Sequence, residues 1–189
     1  MLFMQNVAAK MAPPEEGGGK AAIVLSGSPL FNGDAGSGPS GIRRWLFSED
    51  LVDCIVKLPT DIFYRTGIAT YIWVLNNHKP GNRKGHIQLI DASDEKRPLR
   101  KSQGNKRFEV SEEQAAWIVR TYVDGNDHGK SVIVPVEDFM YRKVTTQRPL
   151  RMFVEPKGEI AEELFSLSKP MGKLTEASRD VLCDWATLC

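Results

Sequence analysis

Cysteine and histidine are scarce, at three residues each in a chain of 189. Cys54, Cys183 and Cys189 are odd in number and far apart or terminal, so they form neither a ligand spacing nor a disulfide framework. His78, His86 and His128 are scattered near Gly, Lys or Asp, and none has a second ligand at helix or turn spacing. Each therefore reads as a solvated loop histidine, and the sequence predicts no structural metal and a reducing, cytoplasmic setting. An excess of one charge is also missing. The 25 basic and 24 acidic residues leave a formal charge of +1, which excludes a wholly basic nucleic-acid binder but not a local basic patch. No apolar run approaches membrane-spanning length. The opening MLFMQNVAAKM does not combine a basic head, a long apolar core and a small-residue cleavage site, so a secretory signal is not expected. What is present is ordinary for a folded chain: 41% hydrophobic and 26% charged residues, enough for one globular domain or one domain with a small appendage.

Leu2, Phe3, Val7 and Met11 recur at helix spacing, and Pro13, Pro14 and Gly17-Gly18-Gly19 end that helix. The run Ala21 to Leu25 is short, apolar and β-branched, which suits a strand buried on both faces in a parallel sheet. A Gly/Ser/Asp/Pro loop spans Gly27 to Gly41, and Ile42 to Phe47 reads as a short helix with Ser40 as its cap. Leu51 to Pro59 is a second strand, Ile68 to Leu75 a third, and His86 to Ala92 a fourth, expected to pair with the third as a hairpin. This order predicts an α/β fold with a mixed sheet.

The character changes after Asp94. Lys96 to Arg107, KRPLRKSQGNKR, holds six basic residues and no acidic one, and reads as a low-hydrophobicity connection. Ser111-Glu112-Glu113-Gln114 is a capping box, followed by Ala115, Ile118, Val119 and Tyr122 on one helical face and a stop at Gly125. Val132-Ile133-Val134 is β-like, and after Pro156 two helical stretches carry Ile160, Leu164 and Phe165, then Val181, Leu182 and Trp185.

Four signals bear on chemistry. Gly36 to Gly41 matches G-x-G-x-x-G, yet the preceding strand ends near Ser26, too early for a dinucleotide turn, and Pro39 removes an amide donor. Gly17-Gly18-Gly19-Lys20 precedes a strand, whereas a phosphate-cradling loop follows one. The basic run is either a solvated loop or a phosphate contact. The most informative segment is LPTDIFYRTGI, Leu58 to Ile68, in which Pro59 ends a strand and Gly67 permits a reversal. Phe63 and Tyr64 lie between them and alternate in direction if extended. They are either core packing or an exposed platform for a flat ligand such as a nucleobase.

The run AAIVLSGSPLFNGDAGSG and the run IRRWLFSEDLVDCIVKLPTDIFYRTGIATYIWVLNNHKPGNRKGHIQLIDAS resemble the methylation subunit of type I restriction-modification systems. FMQNVAAKM and FMYRKVTTQRPLR resemble it too, so the likeness runs from Met1 to about Arg151, with LPTDIFYRTGIATYIWVL its most specific part. That family methylates adenine N6 in DNA with S-adenosylmethionine. Its cofactor glycine motif and its Asn-Pro-Pro-aromatic motif are both missing here, since Pro13-Pro14 lies between Ala12 and Glu15. The helical domain usual ahead of the catalytic domain is missing too.

The resemblance therefore implies the C-terminal half of a Rossmann-like methyltransferase fold, truncated or split, with a mixed sheet, last strands forming a β-hairpin and a small helical tail. Its implied boundaries are 1–95 for the catalytic half, 96–155 for the basic connection, helix and short β segment, and 156–189 for the tail. The three strands from AAIVLSG to IATYIWVL become the fifth, sixth and seventh, the seventh antiparallel and between the others. Phe63, with Tyr64 as the alternative, would stack on an extruded adenine, and Gly36, Gly38, Thr66 and Gly67 would line the rim. The likeness favours DNA or subunit contact by Lys96, Arg97, Arg100, Lys101, Lys106 and Arg107. It implies DNA, a specificity subunit, a second methylation subunit and a restriction subunit as partners, and no membrane. S-adenosylmethionine is the family's cofactor but is not expected to bind this chain alone, and no residue here is expected to be catalytic. Two other readings stay open: a non-catalytic remnant docking on a specificity subunit or intact methylase, and a nucleotide-dependent oxidoreductase built on the Gly36 motif.

Overall fold

The computed structural model describes residues 1–126 and 129–147. His128, Cys183, Cys189 and the helices expected after Pro156 lie outside the described residues. Met1–Lys143 form one compact unit. Its strands are β1 (Lys20–Ser26), β2 (Val52–Lys57), β3 (Thr70–Asn76), β4 (His86–Asp91), β5 (Arg97–Gln103), β6 (Lys106–Glu109) and β7 (Ser131–Pro135). Its α-helices are α1 (Leu2–Ala9), α2 (Ser28–Phe31), α3 (Gly38–Ser48) and α4 (Glu112–Asp124).

Five strands form a mixed sheet in the order β1-β3-β2-β4-β7, and β5 and β6 form a separate two-stranded ribbon. β3 runs antiparallel between β1 and β2, as the resemblance implies. The expected pairing of the third and fourth strands is corrected: β4 lies parallel to β2 and antiparallel to β7. The turn from Asn77 to Gly85 carries the chain past β2 instead of folding back on β3. The hairpin is the β5–β6 ribbon, formed by the basic run read as a connection. Polar sequence hid these strands because both faces of a ribbon can meet water, so no apolar alternation marks them.

β1 corrects a second expectation. Among the described residues it is an edge strand paired with β3 alone, and Val24 is 49% exposed rather than buried. Ala21, Ile23 and Leu25 pack against the core while Ala22 and Val24 face outward. Among the described residues no strand pairs with the far side of β1, and an edge of that kind favours strand addition.

A bulge between Val52 and Cys54 shifts the register of β2 against β3. Without it Val52 and Cys54 would share a face. With it, Val52 and Ile55 join one core layer while Cys54 and Val56 join the other. The first layer, under α1 and α3, centres on Met4, Leu46, Phe47, Trp73, Leu75 and Ile87. The second, under α4, holds Leu58, Ile90, Ala92 and Ile118. In α1 the buried residue is Met4, whereas Leu2 and Phe3 are exposed.

The helix ends follow local chemistry. Ser111 and Gln114 make the reciprocal capping box expected of them, and Gly125 closes α4 in a left-handed conformation. The buried face of α4 is Ile118 and Thr121 flanked by Trp117 and Tyr122, while Val119 is exposed. The cap of α3 is Ser37, and Ser40 sits inside the helix. Among the described residues no helix is long and apolar enough to cross a membrane.

Candidate nucleic-acid interface

Register places three connections at one end of the sheet. Ser26 pairs with Thr70, Leu58 donates to the Thr70 carbonyl at 2.8 Å, and Lys57 pairs with Asp91. The loops after β1, β2 and β4 therefore emerge together at the carboxyl ends of three parallel strands, where open α/β sheets bind ligands.

The connection after β2 carries the aromatic pair. Phe63 is 37% exposed and Tyr64 61%, so neither ring is sealed in the core. A bridge between Phe63 and Thr66 narrows the bend, and the Thr66 hydroxyl accepts from the Ile68 amide at 3.3 Å. Gly67 has no left-handed φ, and a Cβ there would meet the movable carboxylate end of Asp61 at 2.7 Å. Asp61 itself takes a left-handed φ of 59°.

The ribbon returns to this bend. Asn105 donates to the Tyr64 carbonyl at 3.2 Å, and the Arg107 and Phe108 amides reach the Asp61 carbonyl at 2.9 and 3.2 Å. Lys106 places its ammonium 5.1 Å from the Tyr64 ring centre, a cation–π contact. Aromatic and basic residues some 40 positions apart thus share one surface. The six basic residues divide. Lys96 sits over Phe108 at 4.5 Å and Arg97 pairs with Glu109 at 2.8 Å, so both serve the ribbon itself. Arg100, Lys101 and Arg107 are exposed, as is Arg65 on the bend. Arg65 adjoins Tyr64 in the sequence and adds a further exposed cation to this surface.

The rim residues are less concentrated. Gly36 turns with φ 86° ahead of α3, and Gly38 is the first residue of that helix. The Gly36 motif does not make a dinucleotide turn, because α2 stands between it and the end of β1.

The opposite end of the sheet carries a polar network that sequence reading missed. Asp53, 1% exposed, accepts from Arg83 Nε at 2.8 Å, Tyr122 hydroxyl at 2.7 Å and Asn76 Nδ2 at 3.1 Å. Arg83 also donates to the Tyr122 carbonyl and Gln88, and Gln88 to the Thr121 carbonyl and Ser131. Burial pushes the Asp53 carboxyl up, but its three donors outweigh that and hold it below its ordinary value. Burial, and then Asp53, push the Tyr122 hydroxyl well above the phenol range, and burial pushes the Cys54 thiol up to about 12. One signal pointed here: an aspartate inside the apolar run LVDCIV is rarely buried without a partner. The cleft beside this network, about 170 Å³, is lined by the same Asp53, Arg83 and Gln88. Those groups already bond one another, so the network ties α4 and the Gly81–Arg83 turn to the sheet. Among the described residues no three His, Cys, Asp or Glu side chains group as a metal site.

The sequence profile of the N-6 DNA Methylase family matches residues 1–140. The chain is 31% identical over 157 residues to the type I restriction enzyme MjaVIII methylase subunit of Methanocaldococcus jannaschii, covering 78% of this chain and 26% of that protein. It is 38% identical over 74 residues to the HindI methylase subunit of Haemophilus influenzae, 39% of this chain and 16% of the relative. Among solved structures, the type I restriction-modification methyltransferase subunit of Streptococcus thermophilus aligns at a TM-score of 0.53 and 26% identity, over 64% of this chain and 24% of that one. The chain thus spans about a quarter of the length of the MjaVIII relative. The antiparallel β3 between two parallel strands and the match over residues 1–140 agree: the chain belongs to the N-6 DNA methylase family.

Proposed function

We propose that this chain supplies the DNA-facing side of a type I adenine-N6 methyltransferase, with Phe63 stacking on the extruded target base and the β5–β6 ribbon meeting the phosphate backbone. The observation that carries this reading is the exposed Phe63–Tyr64 bend joined to the basic ribbon at the carboxyl ends of β1, β2 and β4. Base extrusion costs a few kcal/mol, and aromatic stacking returns roughly 1–3 kcal/mol per base. Cations beside the ring release counterions from the flanking phosphates. DNA, a specificity subunit, a second methylation subunit and a restriction subunit are the partners this reading assigns, in a cytoplasmic complex.

The described residues do not fit S-adenosylmethionine. The glycine turn lies in the wrong place relative to β1, and the cleft at the Asp53 end is lined by groups already satisfied by one another. No methyl-transfer step is assigned to these residues, and the chain alone is expected to be inactive. Calorimetric titration with S-adenosylmethionine should give no heat of binding, and micromolar binding would overturn this assignment.

DNA contact has its own test. Binding of a duplex carrying a mismatched adenine should weaken with salt, and replacing Lys101, Lys106 and Arg107 by Gln should flatten the log–log salt slope by about 2–3. A slope unchanged by the triple replacement would move the DNA contact away from the ribbon.

A second reading, subunit docking, rests on the β1 edge, which no further described strand covers and where Val24 is exposed. Pull-down with the specificity subunit distinguishes it from DNA contact.

A further inference from the structure

We infer that the β5–β6 ribbon is the positioning element of the aromatic bend, setting where Phe63 stands relative to the phosphate-binding cations. This deepens the base-stacking reading and rests on it. The bend is held from within by Ile62, which packs on the second core layer, and by the Thr66 hydroxyl at the Ile68 amide. It carries a left-handed Asp61, a single isolated bridge, and two rings that face solvent. Its backbone carbonyls at Asp61 and Tyr64 are met by three amides from the ribbon.

The grip depends on Gly104. Its φ is 62°, and a Cβ there would lie 2.9 Å from the Tyr64 carbonyl oxygen. Only a residue without a side chain lets the ribbon's turn close this far, which brings the Asn105 amide to that same oxygen. Lys106 then lies over Tyr64. The consequence is a division of labour. The Tyr64 ring holds Lys106, a phosphate-binding cation, so Tyr64 belongs to the backbone contact and Phe63 to the base. A mobile bend would let the ring and the cations engage a DNA strand separately. A gripped bend presents both at a fixed separation, so an extruded base and its flanking phosphate are recognised together.

Gly104→Val and Gly104→Asn, made in the full chain, test this by amide hydrogen exchange. Asn accepts a left-handed backbone but still carries a Cβ, so the pair separates close approach from backbone strain. Both variants should exchange the amides of Asn105, Arg107 and Phe108, which donate to the bend's carbonyls, at least tenfold faster while the amides of β2 and β3 keep their protection. Unchanged exchange at those three amides would overturn the inference. So would loss of protection throughout β2 and β3, which would make Gly104 a general stability residue. A parallel titration with an oligonucleotide carrying unpaired 2-aminopurine separates the two readings. The variants should lose base-stacking fluorescence quenching at least fivefold and keep the salt slope of the unsubstituted chain. No quenching by the unsubstituted chain would defeat base stacking itself, while the exchange result still decides the grip.

Discussion

Arg83→Met should destabilise the protein by about 3–5 kcal/mol, the cost of leaving a buried charge without its partner. Asp53 is 1% exposed and Arg83 is its cationic neighbour at 2.8 Å. Removing the guanidinium also strands the Gln88 oxygen and the Tyr122 carbonyl it serves. Asp53→Asn should cost less, because the Arg83 side chain is 18% exposed and can turn to water. Urea unfolding midpoints measure both, and a loss under about 1 kcal/mol for Arg83→Met would show that the network is not what holds α4 to the sheet.

The same pair predicts a pH profile. The folded pKa of Asp53 is depressed, so its contribution is complete above its ordinary value of 3.8 and is lost as pH falls through the lower folded value. Arg83→Met should shrink that acid-side loss, because burial then acts against fewer opposing donors. On the alkaline side the sign reverses. The Cys54 thiol, pushed from 9.0 to about 12, keeps a proton that the unfolded chain releases, so stability falls as pH rises above about 9.

Phe63→Ala should weaken engagement of an extruded base by roughly 5- to 150-fold, the equivalent of about 1–3 kcal/mol of lost stacking. The ring is 37% exposed and outside both core clusters, so the fold should survive the change. In a methylase reconstituted with its partner subunits, methylation should fall by a similar factor. Phe63→Trp, which keeps a stacking face, should restore most of it. Unchanged methylation in Phe63→Ala would remove the stacking role. Tyr64→Ala should act differently, releasing Lys106 and lowering affinity for DNA of any sequence.

Much of the local structure was legible in the chain. The capping box at Ser111, the stop at Gly125 and the β-branched runs at Val52, Thr70 and Ile87 declare their elements because caps and apolar spacing act over a few residues. Alternation across a strand end left the aromatic pair as core packing or an exposed platform, and the tertiary structure decided for exposure. The family likeness and the antiparallel place of IATYIWVL were equally accessible, since LPTDIFYRTGIATYIWVL is long and specific.

Partner choice was not legible in that way. Whether β4 lies against β3 or β2 depends on which apolar faces meet, and HIQLID suits either strand. The bulge at Asp53 turns two neighbouring side chains to one side, and only the presence of Arg83 and Tyr122 there makes the aspartate tolerable. The basic run could not announce itself as a ribbon, because what defines it is the set of carbonyls on a bend some 40 residues earlier. Short-range pattern thus determined the apolar strands, the capped helix and the family, while tertiary contact decided register, the buried ion pair and the meeting of ring and cation. Those three depend on groups distant in sequence, whose desolvation and hydrogen bonding are settled only when the faces close.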